Sequence, residues 1–188
     1  MIGNLRLITP PAIEPVTVDD VKLSTRVSYD AEDSLLQLWI SSARELAEDF
    51  QHRAFITQEW ELSFDTFPKL PVELYRPPVQ EIVSFKLYDY QNNEIEIPLS
   101  DLLVDTDSLM PRVTLARGAS FPSVQLRELD AVKVRYKAGF GDTCCSVPRN
   151  VIDAILLYCS YRYENRTAEV EKVPQHFYDL LRPDRVHL

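Results

Sequence analysis

The stretch "YKAGFGDTCCSVPRNVIDAILLY", residues 136–158, holds two of the chain's four glycines, two of its three cysteines and a proline ahead of an apolar run. Three readings compete for it: a phosphate-cradling loop, a vicinal-thiol redox or metal site, and a strand handing over to a helix. A phosphate loop needs glycines at fixed offsets and a Lys-Ser/Thr pair entering the helix. Here Gly139 and Gly141 are followed by Asp142, whose charge repels phosphate. The dinucleotide fingerprint fails as well, for want of a third glycine and a βαβ setting. Cys144 and Cys145 are adjacent, whereas tetrahedral metal sites usually separate their thiolates and draw on further ligands. Cys159 falls on a helical core position, and His52, His176 and His187 are scattered. The plain reading remains. Val132, Val134 and Tyr136 form a strand face, the glycines permit a sharp turn, and Pro148 suits a first helical turn.

Working outward, Val151, Ile152, Ile155, Leu156, Cys159 and Tyr163 form the stripe of the helix after Pro148, and Phe177, Leu180 and Leu181 make a short last helix that Pro183 stops. Upstream, Thr17 with Asp20 reads as a helix cap, with the helix running to Thr25. Asp30 to Asp33 repeats the signal before a longer helix, where Leu35, Leu36, Trp39, Ile40, Ala43, Leu46, Ala47 and Phe50 make one apolar stripe. Arg44 and Glu48 fall outside that stripe. Leu5 to Val16, with three prolines, reads as an extended arm without period.

The period changes after Ile56. In "TQEWELSFDTF", residues 57–67, Trp60, Leu62 and Phe64 alternate with Glu61, Ser63 and Asp65, the two-residue repeat of a half-buried strand. Further strands are expected at Val72–Tyr75, Ile82–Tyr90, Glu94–Ile97, Leu102–Asp105, Arg112–Ala116 and Ala131–Lys137, with a hairpin turn in "YQNNE". No stretch of 57–138 has a helical stripe. The expected fold is therefore α+β, a small helical bundle with an inserted antiparallel β lobe. Residues 1–56 supply the N-terminal arm and helices, 57–138 the β lobe, and 139–188 the helices and tail that complete the bundle.

The chain has 188 residues, twenty of them basic and twenty-nine acidic, for a net charge of −9. That balance argues against a sequence-neutral grip on nucleic acid, which needs a clustered basic surface; it does not oppose contact with DNA that must slide past. No apolar run reaches the roughly 18–20 residues of a membrane span, and "MIGNLRLITPPAIEP" lacks the apolar core of a signal peptide. Three cysteines, two of them adjacent, fit a reducing compartment. Asp101, Asp105 and Asp107 resemble a spaced carboxylate set, but "DTDS" lacks the glycine and distal glutamate of a calcium loop. Trp39 and Trp60 lie on apolar faces. No catalytic, cofactor or metal residue is expected from these patterns, and the chain does not read as an enzyme.

"LITPPAIEPVTVDDVK", "FQHRAFITQEWELSFDTFP", "LYRPPVQEIVSFKLYD", "VDTDS" and "VRYKAGFGDTCCSVPRNVIDAILLYCSYRYENR" resemble, in this order, the head–tail connector (adaptor) proteins of tailed bacteriophages and prophages, in the larger form with a β insertion. The resemblance covers roughly residues 5 to 182 and departs from the family at the adjacent cysteines. It implies a structural protein of the virion neck, assembled in the host cytoplasm. Copies would form a ring of about twelve under the portal, extend the DNA channel without sequence-specific binding and dock the next neck or tail protein. The Glu164–Lys172 linker and the final helix would be a tail that docks on the portal. Two other classes stay open at this point: a monomeric β-rich module binding carbohydrate or peptide, expected to expose an aromatic cluster on one sheet face, and a hydrolase using Asp101, Asp105 and Asp107.

Overall fold

Alternating apolar residues build the first of two units into which the chain divides. A computed structural model describes residues 3–166 and 173–186. The first unit takes the N-terminal stretch to Pro10 and Thr57–Gly139; the second takes Pro11–Ile56 and the chain from Phe140 onward. The α+β class expected from the change of period is the one observed.

In the first unit, strands β1 (Asn4–Thr9), β2 (Gln58–Phe64), β4 (Val79–Tyr88), β5 (Glu94–Ile97) and β8 (Val132–Ala138) form one antiparallel sheet in the order β1-β2-β8-β4-β5. A smaller sheet orders β3 (Val72–Glu73), β7 (Arg112–Leu115) and β6 (Leu102–Asp105) as β3-β7-β6. Register places Leu62 beside Val134 and Val134 beside Phe85, so the apolar halves of three strands share one face. Leu62, Phe85, Leu87, Val132, Val134 and Tyr136 are buried. The Tyr136 hydroxyl escapes the cost of burial by donating to the Tyr75 carbonyl at 2.9 Å. The β4–β5 turn is made as its residues suggested: Asn92 takes φ 64°, and Asp89 Oδ1 accepts from the backbone N–H groups of Gln91 and Asn93.

One element differs from expectation. The arm read as extended and without period is, over Asn4–Thr9, the edge strand β1, with Leu5 against Leu62 and Leu7 against Trp60. Residues up to Pro10 therefore belong with the strands and not with the helices of 1–56. The prolines at positions 10, 11 and 15 hide a short alternation that only the neighbouring β2 makes visible.

The second unit holds α1 (Val18–Thr25), α2 (Asp33–Gln51), α3 (Arg149–Glu164) and α4 (Gln175–Leu181). Thr17 and Asp20 close a capping box on α1. The second capping signal works differently: α2 starts after Glu32 without a side-chain cap, while Asp30 and Asp33 both bind Lys22, at 2.7 and 2.6 Å. Leu36, Trp39, Ile40, Ala43 and Ala47 pack with Val151, Ile155 and Cys159. Leu35, assigned to the stripe, lies at its exposed margin.

The short last helix is also core. Phe177 and Leu181 are fully buried in the cluster, and Pro183 sits in the tight turn Arg182–Asp184 that follows. Gln51 Nε2 donates to the Leu181 carbonyl at 2.6 Å, Arg53 Nε to the Asp184 carbonyl at 2.7 Å, and Asn150 Nδ2 to the Leu180 carbonyl at 3.1 Å. The apolar face of α4 is thus already covered by its own unit. Residues 167–172 of the expected linker, and His187, lie outside the described residues.

Trp39 is 6 % exposed, with the Arg162 guanidinium 5.7 Å from the centre of its ring. Trp39→Ala is expected to cost about 3–5 kcal/mol by leaving a cavity, measured by urea unfolding. A loss under about 1 kcal/mol would show that the ring is not part of the core.

Candidate functional site

The glycine- and cysteine-bearing stretch is a handover from strand to helix. Gly139 and Gly141 take φ 137° and 154°, conformations that side chains oppose. Between them Phe140 donates its N–H to the Phe55 carbonyl at 2.9 Å, and Gly141 bridges to Ile56. A Cβ on Gly141 would stand 2.6 Å from Ser146 Oγ. A tight turn at Cys144–Ser146 follows, and Pro148 precedes α3. The Cys144 and Cys145 sulfurs are exposed and 3.9 Å apart. Their mutual hydrogen bond raises the Cys144 pKa, and burial pushes the Cys159 thiol up to about 12. Both shifts disfavour the thiolate that nucleophilic and metal chemistry needs.

The other sequence candidates also resolve into structure. Asp105 is held by Ser108 and by Arg112, whose Nε lies 3.2 Å from Asp105 Oδ2. Burial works to raise its pKa, but these bonds outweigh it and lower the value, the opposite of a carboxyl poised as a general acid. Asp101 accepts from Ser100. His52 ends α2 in a left-handed conformation, and His176 is exposed on α4. Among the described residues, no group of three or more His, Cys, Asp or Glu side chains is placed to hold a metal ion. No described helix is long and apolar enough to cross a membrane.

Three charged constellations went unread in the sequence. The first is buried: Arg44 is 7 % and Glu48 6 % exposed. Arg44 Nη1 donates to Glu48 Oε2 at 2.9 Å and Nε to Glu14 Oε2 at 2.7 Å, while Phe55 N–H donates to Glu48 Oε1 at 2.9 Å. Burial opposes the Arg44 charge, yet Glu14 and Glu48 more than offset it and raise its pKa. The second closes the end of α3. Arg166 pairs with Glu32, and Tyr29 Oη shares a 2.8 Å hydrogen bond with Tyr163 Oη. The Arg166 bonds lower the Glu32 pKa to about 2, and the Tyr163 bond heads the causes that push Tyr29 up to about 12.

The third constellation covers the outer face of the five-stranded sheet. Central β8 presents Lys133, Arg135 and Lys137 on that face, and acids flank them: Arg135 and Lys133 reach Glu61 at 2.9 and 3.0 Å, and Lys137 reaches Glu81 at 2.8 Å. Farther out, Lys86 pairs with Glu94 at 2.7 Å. Burial raises the Glu61 pKa less than the Arg135 and Lys133 bonds lower it. A set of cross-strand ion pairs thus stands where the carbohydrate-binding reading expects an aromatic cluster.

Residues 15–104 match the model of the phage gp6-like head–tail connector family, so the resemblance drawn from the ordered motifs is shown. No curated protein matches the chain in sequence. Its fold is similar to a chain in the neck of an empty gene transfer agent (GTA) particle computed with C6 symmetry. The TM-score is 0.81 at 21% identity, over 98% of this chain and 97% of that one. A chain of the native GTA virion matches with TM-score 0.81, 21% identity and coverage of 98% and 96%. A chain from the neck of the native GTA particle computed with C12 symmetry matches with TM-score 0.76, 20% identity and coverage of 100% and 97%. At these identities the likeness establishes the fold.

Two outcomes follow from the site geometry. Cys144→Ser combined with Cys145→Ser is expected to change stability by no more than about 1 kcal/mol and to leave assembly intact; loss of a bound metal or of assembly would reverse the reading. Glu32, whose folded pKa is depressed, contributes stability above its unfolded value of about 4.3. That contribution is lost as pH falls towards about 2. Urea midpoints measured down this window are expected to fall less steeply for Glu32→Gln than for the wild type.

Proposed function

We propose that this chain is a structural neck protein of a tailed-phage-like particle and not an enzyme. Copies close into a ring beneath the portal, about twelve of them in keeping with the C12 symmetry computed for one matched neck. The ring extends the channel through which DNA passes and presents a surface to the next neck or tail protein. Its place is the virion neck, reached by assembly in the host cytoplasm. The observation that carries this reading is the fold match over 98% of this chain and 97% of the neck chain. The family match over residues 15–104 supports it independently.

The charge fits the task. A channel wall should let DNA slide, and a subunit of net charge −9 has little to hold phosphates with. The same charge opposes assembly in the absence of a template, because bringing many copies together costs repulsion that a Debye length of about 8 Å at physiological salt only partly screens. Closure on a portal that supplies both symmetry and contacts offsets that repulsion.

Native mass spectrometry of the full chain, by itself and mixed with portal rings, tests the proposal. The expected result is monomer or weak oligomer in the first sample and a portal ring carrying about twelve added copies in the second. No association with portal rings would sink the connector reading. Truncation before Pro174 is not a clean probe of docking, since it removes Phe177 and Leu181 from the core.

A further inference from the structure

We infer that neighbouring copies meet edge to edge through the five-stranded sheet, with β5 of one copy beside β1 of the next. This rests on the ring reading above and names its contact. Among the described residues β1 pairs only with β2 and β5 only with β4, so both outer strands keep a side of unpaired backbone donors and acceptors. Edges of this kind invite another strand, and proteins commonly guard them with charge.

Here the guards differ in sign between the two edges. β1 carries Arg6, and β5 carries Glu94 and Glu96, all three exposed. Register puts them on one face: Arg6 stands beside Glu61, Glu61 beside Arg135, Lys86 beside Lys133 and Glu96 beside Lys86. Glu94 holds Lys86 at 2.7 Å, whereas Glu96 adds only a longer-range attraction to that lysine and Arg6 has no ion pair among the described residues. Strand by strand the signs run Arg6, Glu61, Arg135 with Lys133, Lys86 and Glu96. The like pair Lys133–Lys86 breaks the alternation once, so the face ends in a cation on one edge and an anion on the other. On the opposite face each edge is apolar, with Leu7 40 % exposed on β1 and Ile95 half-buried on β5.

Electrostatics then selects the kind of contact. Two β5 edges would oppose Glu94 and Glu96 to their own copies, and two β1 edges would oppose Arg6 to Arg6. Only the unlike edges attract. A contact between unlike edges is heterologous, the class that generates rings, whereas a contact between like edges closes a dimer. Because five antiparallel strands separate the edges inclusively, β1 and β5 run in the same direction, and rotation about a ring axis sets them as a parallel pair. The lengths also agree. The regular register of β1 ahead of its bulge runs over Asn4–Leu7, and Pro98 follows β5 at Glu94–Ile97.

The test uses the same portal-ring preparation, with Arg6→Glu, Glu96→Arg and the two combined. Each single reversal is expected to raise the half-saturating concentration about tenfold or more, and the double reversal to restore most of the loss. Within one copy the two positions lie four inter-strand steps of about 4.8 Å apart, so rescue reports a contact between copies. Circular dichroism confirms that each variant is folded. As a second measurement, Arg6→Cys with Glu96→Cys, placed in the Cys144→Ser, Cys145→Ser background, is expected to give a ladder of cross-linked species beyond the dimer. Wild-type rings that tolerate the single reversals, are not rescued by the double one, or give no ladder would overturn the edge contact and leave the ring standing. Absence of wild-type rings would overturn both.

Discussion

The helical unit depends on one carboxylate. Glu48 takes the Arg44 guanidinium with one oxygen and the Phe55 N–H with the other, inside the core. The first bond draws in Glu14 through Arg44 and so fixes the chain that leads into α1. The second satisfies a backbone donor just past the left-handed end of α2 and aims Phe55 and Ile56 at Phe140 and Gly141. Charges this deep are tolerated only when paired and hydrogen-bonded, and removing one partner of such a set typically costs about 3–5 kcal/mol. The two segments that come together from distant parts of the sequence thus share an anchor that apolar packing by itself would not specify.

The same logic, moved to the surface, organises the sheet. β8 is central in order and basic on its outer face, so β2 and β4 bring acids to it from either side. Exposed pairs of this kind add little stability individually. Their consequence is one of pattern: the alternation of sign is broken once, where Lys86 stands beside Lys133, and the five strands therefore end in unlike edges. In a protein with twenty-nine acidic against twenty basic residues, a site where opposite charges can meet between copies is valuable for assembly.

The last helix shows how a segment that reads as an appendage becomes part of the core. Phe177 and Leu181 close the space against α2 and α3, and three side chains from those regions bond the carbonyls around its end. Seven residues are too few for a helix to hold itself together in water. Burial and these polar bonds are what make it a helix.

By itself the sequence determined the class of fold and nearly every element, because a period of two or of 3.6 is a local property of the chain. Leu62 and Phe64, Trp39 and Ile40, and the Thr17–Asp20 cap carry their structural roles within a few residues of themselves. It also determined, through missing motifs, that Gly139, Gly141 and the adjacent thiols make a turn. Tertiary structure decided the rest, where partners come from far along the chain. Asn4–Thr9 is a strand only beside β2, and Arg44 is buried only because Glu14 and Glu48 meet it there. The opposed edges carrying Arg6 and Glu96 exist only once five strands are placed in order, since sheet order and ion pairing arise from long-range contact and leave no periodic trace in the sequence.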